Sequence, residues 1–93
     1  DEALRSEALA TISSEFDTAW VAILESLIES GVAEGVFDCK DPHGASWRLS
    51  ALLDGLAIQV VLPRRTLSRK QMLDHARIGA AREVGLSRSA FPD

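Results

Sequence analysis

Ninety-three residues carry a net charge of −4, with 46% hydrophobic and 26% charged side chains. That length makes one small domain with a thin core, and the composition excludes a disordered tail. The acidic balance argues against a nucleic-acid surface, which shows as a basic patch or stripe. Basic residues do gather between Arg64 and Arg88, but acidic ones interrupt them and no basic run exceeds two.

The lone Cys39 forms no internal disulfide, which fits a reducing compartment. No stretch approaches the ~18 uncharged apolar residues of a membrane span. The opening "DEALRSEALA" lacks a charged-then-apolar secretory pattern. The expected location is the cytoplasm.

In the first third, Leu4, Ala8, Ile12, Phe16, Ala19, Trp20, Ile23, Leu27 and Ile28 recur at three- and four-residue steps. That is helical spacing, and "GVAEG" at 31–35 ends the run. At about 100° per residue the stripe drifts along the helix. Either the helix bends near Ser13 and Ser14 in "TISSE", or its two ends pack on different neighbours.

Asp41 then offers an N-cap and Pro42 the first position of a second helix. It runs to about Leu62, where Pro63 stops it and Arg64 and Arg65 suit its negative end. Ser68 followed by Gln71 makes a capping box for a third helix. That helix carries Met72, Leu73, Ala76, Ala80 and Val84 on one side, with Gly85 past its end. The tail "LSRSAFPD" reads as irregular. The expected fold class is all-α: three helices, the last two forming an antiparallel hairpin.

The second helix is apolar on two sides. Leu49, Leu52, Leu53, Leu56 and Val60 fall in a broad band around Ala45, while Trp47, Ala51, Ile58 and Leu62 form a band opposite. Burying a Leu or Ile side chain is worth roughly 1.5–3 kcal/mol, so leaving the second band in water forgoes several kcal/mol. Two short helices cannot sheathe a third. On the third helix, Ala76, Gly79 and Ala80 leave room for close approach. Two such hairpins related by a two-fold axis close into a four-helix bundle. The expected assembly is therefore a homodimer, with Trp47, Ala51, Ile58, Leu62, Met72, Ala76, Gly79 and Ala80 at its interface; the alternative is a closed monomeric three-helix bundle.

The stretch "ESLIESGVAEGVFDCKDPHGASWRLSALLDGLAIQVVL", residues 25–62, resembles the C-terminal regulatory domain of TetR-family transcriptional repressors, most closely the BetI-type subgroup. Gly31, Gly35, Phe37, Asp41, Pro42, Asp54, Gly55 and Leu56 carry the resemblance through their order and spacing. It implies a regulatory domain whose last two helices form a four-helix dimer interface and which binds a small, mostly apolar effector. It implies operator binding through a separate N-terminal helix-turn-helix domain, which residues 1–93 do not contain; the chain is expected to be the single C-terminal domain alone. The resemblance further implies that effector binding shifts the spacing of the two DNA-binding domains between states of different operator affinity.

Phe16, Trp20, Ile23 and Leu24 line the side of the first helix where the resemblance places the effector pocket. As an alternative they are core residues. Asp54 reads either as a ligand contact or an interface ion pair with Arg77 or Arg82, or as one of a solvated Ser46, Ser50, Asp54 stripe. Asp38, Cys39 and His43 lack metal-ligand spacing, and no nucleophile elbow, phosphate loop or paired carboxylates are present. No enzyme activity, metal or cofactor is expected. From another class, a free-standing helical adaptor binding a partner protein through the Trp47 face also fits the sequence.

Overall fold

The computed structural model describes residues 1–64 and 66–86. They form three helices: α1 (Glu2–Ala33), α2 (Pro42–Val61) and α3 (Arg69–Val84). The irregular tail expected beyond Leu86, and Arg65, lie outside the described residues.

The first helix begins where the Asp1 carboxylate accepts the backbone N–H of Leu4 at 3.0 Å. At 1.5 Å per residue its 32 residues span about 48 Å, which sets the longest dimension of the molecule, 51 Å. There is no break at "TISSE". Serine costs only a few tenths of a kcal/mol in a helix, too little to interrupt thirty flanking residues, and Thr18 Oγ1 donates to the Ser14 carbonyl at 2.9 Å without ending the run. The drift of the apolar stripe instead reflects different surroundings. Val21, Ile28 and Gly31 are buried, whereas every residue from Asp1 to Phe16 is exposed.

The turn out of α1 is built around glycine. Gly35 takes a left-handed φ of +77°, and the N–H groups of Val36 and Phe37 both donate to the Gly31 carbonyl, at 2.9 and 3.1 Å. The Phe37 ring then folds over Gly31 so closely that any Cβ there would overlap it.

Each boundary of α2 and α3 follows local chemistry. Asp41 caps α2 by accepting from Gly44 N–H at 3.1 Å, and Pro42 fills the first turn, where its missing N–H leaves nothing unpaired. At the other end Leu62 turns extended (ψ 147°), as a residue preceding proline is pressed to do. The capping box of α3 closes in both directions: Gln71 N–H donates to Ser68 Oγ at 3.1 Å, and Ser68 N–H donates to Gln71 Oε1 at 2.9 Å. Gly85, at φ +74°, ends α3, and Leu86 N–H reaches back to the Ala81 carbonyl at 2.8 Å.

The helices pack in sequence, α1 on α2 and α2 on α3. Arg48 meets Glu83 and Leu52 meets Gly79, so α2 and α3 run antiparallel. The core lies at one end, where Ile28, Ala45, Leu49 and Val84 cluster and Leu24, Phe37, Cys39, Ala80 and Leu86 pack against them. The link between α1 and α2 is tied to the end of α3 by Asp38 N–H donating to the Val84 carbonyl at 2.9 Å. Ser46 and Ser50 belong to this interior, not to a solvated stripe with Asp54. Their small side chains let helices approach, and the Ser46 hydroxyl is satisfied by the Pro42 carbonyl at 2.6 Å.

The result is an open layer, not a closed bundle. It is only 15 Å thick, and its radius of gyration is 15.7 Å, against about 12 Å for a compact domain of this length. Its accessible surface is 6890 Å², where a compact monomer of this mass exposes roughly 5300 Å².

Candidate functional site

Two apolar helix faces remain uncovered, and both are where the chain has chemistry to offer. The first is the outer face of α2. Its inner band is the buried one: Ala45, Leu49 and Leu56 are buried and Leu52, Leu53 and Val60 half-buried. Opposite them Trp47 (47%), Ile58 (53%) and Val61 (77%) stand open to solvent, with Ala51 and Leu62 exposed beside them. Asp54 and Gly55, both exposed, lie halfway along the helix and towards opposite margins of this face.

The third helix offers less to this face than the sequence suggests. Met72, Ala76, Gly79 and Ala80 are all half-buried. The space left by Gly79 is taken by Leu52 of the same chain, and Ala80 packs against the core cluster. The small residues thus bring α3 onto α2 within one subunit. Leu73, placed by spacing on the same stripe, is exposed, while Ala81 and Val84 are the buried positions.

The second uncovered face lies along α1. Leu9, Ile12, Phe16, Ile23 and Leu27 are exposed and, at about 100° per residue, fall within roughly 60° of one another. Phe16 (70%) and Ile23 therefore share an open stripe. Trp20 is half-buried at its margin, and Leu24 belongs to the core. The four residues do not converge on one enclosed cavity. The groove between α2 and α3, about 380 Å³ and lined by Leu52, Leu56, Ile78 and Arg82 among others, contains none of them.

Two long-range polar contacts hold these faces in position, and neither is visible from sequence spacing. Arg48 Nε donates to both carboxylate oxygens of Glu83, at 2.9 and 2.7 Å, joining the start of α2 to the end of α3. That hydrogen bond to Glu83 holds the Arg48 guanidinium above its usual pKa. His43 Nδ1 lies 2.9 Å from Glu25 Oε1, joining α2 to α1. Cys39 is a free thiol packed against the core. Among the described residues no three His, Cys, Asp or Glu side chains converge, and no helix is long and apolar enough to cross a membrane.

A thin helical layer with open apolar faces presents the kind of surface that marks interaction sites. The comparison with known families agrees. The pattern that defines the C-terminal domain of BetI-type transcriptional repressors, within the TetR family, matches residues 1–85, and the chain belongs to that family. It is a regulatory domain of a repressor, not an enzyme. No curated protein and no solved structure matches the chain.

Proposed function

We propose that this chain is the homodimerisation and effector-binding domain of its repressor, paired through α2 and α3. The observation that carries the reading is the outer face of α2, where Trp47, Ile58, Val61 and Leu62 are exposed together. Uncovered apolar patches of this kind mark interaction surfaces. The chain exposes about 1,600 Å² more than a compact monomer, twice the ~800 Å² per partner that a standard interface removes. A second copy therefore has ample surface to cover.

In this reading Trp47, Ala51, Ile58 and Leu62 form the centre of the interface, and Met72, Ala76, Gly79 and Ala80 set the distance of α3 behind it. The effector is a small apolar molecule held along the Phe16, Trp20, Ile23 and Leu24 side of α1. Operator contact belongs to a helix-turn-helix unit outside residues 1–93. Effector binding then acts by favouring one spacing of the two subunits over another.

Sedimentation equilibrium tests the reading. The protein should be a dimer at micromolar concentration, and Ile58→Asp, which sets a charge in the middle of an apolar face, should shift it to monomer with its helicity intact. A wild-type monomer at those concentrations refutes dimerisation and leaves the Trp47 face to an unrelated partner. For the effector, Trp47→Phe leaves Trp20 as the only indole, and its fluorescence should respond to apolar ligands.

A further inference from the structure

We propose that the groove between α2 and α3 is a second small-molecule site, which takes a medium-chain carboxylic acid with its carboxylate on Arg82 and its chain between the helices. The site goes beyond the α1 effector reading and does not depend on it.

The walls of the groove are apolar. Leu52 and Leu56 come from α2, Ile78 and Gly79 from α3, and Leu67 from the link between the two helices. It measures about 380 Å³, inside the range of ~300–1,000 Å³ usual for small-ligand sites. The helices make their close contact where Leu52 enters the space left by Gly79. Beside that contact Leu52, Leu67 and Ile78 stay half-exposed, and a hydrocarbon chain laid there would take their surface and its own out of water. Of the residues assigned to the dimer only Gly79 lines this groove, and its space is already filled by Leu52 of the same chain.

The polar lining selects the charge of the ligand. Only His75 and Arg82 are polar, and no acidic side chain lines the groove. In a chain with 14 acidic residues against 10 basic ones, an apolar groove rimmed by arginine alone runs against the general charge. The other arginines and lysine nearby are engaged: Arg48 is held by Glu83 at 2.7 Å, and Lys70 and Arg77 face Asp74 at 3.4 and 3.9 Å. Arg82 is exposed and makes no hydrogen bond or ion pair among the described residues. Its guanidinium offers paired donors that match a carboxylate in the plane. A cationic ligand would find no counter-charge here, and a neutral one would leave that fork unused.

The order of the residues sets the direction of the chain. Arg82 and His75 are seven residues apart, hence on one side of α3 and about 10.5 Å apart along its axis, with Ile78 between them. Leu67 precedes α3, at the end away from Arg82. A carboxylate on Arg82 therefore sends its chain past Ile78 and Leu56 towards Leu67. An extended chain of about ten carbons covers that span at ~1.3 Å per carbon.

Calorimetric titration with decanoate, below the concentration at which it self-associates, tests the site. Wild type should bind one decanoate per chain, and bind decanol, the same chain without the charge, at least ~5-fold more weakly. Octanoate, two methylenes shorter, should also bind about 5-fold more weakly than decanoate. Arg82→Gln should bind decanoate and decanol alike, with helicity unchanged because the side chain is exposed. Lys70→Gln, outside the groove, should leave decanoate affinity within about twofold. Amide chemical shifts should move at Leu56, Ile78 and Gly79. No decanoate binding, or a preference for decanoate over decanol that survives in Arg82→Gln, overturns the site. Shifts confined to Phe16, Trp20 and Ile23 overturn it as well and give the acid to the α1 face, whereas an α1 face that binds nothing leaves the groove standing.

Discussion

Gly35 and Gly85 have nearly the same backbone, φ +77° and +74°, yet replacing each by alanine should have unequal effects. An L-residue held in the left-handed region costs about 1–2 kcal/mol. At Gly35 nothing lies within 4 Å of the new Cβ, so that conformational cost is the whole effect. At Gly85 the Cβ would stand 2.5 Å from the Asp38 carbonyl oxygen and 3.0 Å from the Asp38 Cβ. The Asp38 backbone cannot swing aside as a side chain would. It has to withdraw, and its N–H then gives up the 2.9 Å hydrogen bond to the Val84 carbonyl, worth about 1 kcal/mol. With some loosening of Val84 in the core, Gly85→Ala should cost about 3 kcal/mol and Gly35→Ala about 1 kcal/mol. For a domain of this size each kcal/mol moves Tm by about 4–8 °C. Thermal melts followed by circular dichroism should therefore show a drop of about 15 °C or more for Gly85→Ala and about 5 °C for Gly35→Ala. Equal drops, or a Gly85→Ala melt superimposed on wild type, would show that the link is not pinned to the end of α3.

Three further outcomes follow from the burial pattern. Leu24→Ala should destabilise by about 2–4 kcal/mol because Leu24 packs in the core, while Ile23→Ala, one residue away on the open stripe, should stay within about 0.5 kcal/mol; urea titration compares the two. Backbone amides before Phe16 should exchange with solvent at least ~100-fold faster than those around Ile28, since the exposed half of α1 has no packing to protect it; equal protection would mean that this half is covered in solution. Gly55→Ala should stabilise the subunit by about 1 kcal/mol, because nothing stands within 4 Å of the new Cβ and the helix loses a glycine; urea unfolding measures it, and a destabilised variant would show that this site is crowded.

The helix boundaries were legible because they are written in adjacent residues. Asp41-Pro42, Ser68 with Gln71, and Gly85 each act within one turn, and the structure uses every one of them. The two bands of α2 were legible for the same reason, since a strict period separates them. What spacing does not carry is which neighbour arrives. Ser46 and Ser50 share a line with Asp54, yet α2 buries the two serines and exposes the carboxylate. Gly79 signals close approach, but only the packed chain shows that Leu52 takes the space. The Arg48–Glu83 and Glu25–His43 contacts join residues 35 and 18 apart, with no local signal at either end. The continuity of α1 was one of two alternatives that spacing left open, and it prevails because weak helix formers lower helix stability by only tenths of a kcal/mol each, which breaks an isolated peptide and not a long helix anchored at one end. For the candidate site, spacing identified the open band of α2, while Phe16, Trp20, Ile23 and Leu24, grouped by resemblance, occupy three different environments.

A layer 15 Å thick has almost no interior of its own. Whatever covers its open faces then contributes to folding as well as to recognition, because any species that binds only the folded chain raises its stability by mass action. On the proposed reading, a subunit without a mate keeps the α2 face of Trp47, Ile58, Val61 and Leu62 in water and is the less stable for it.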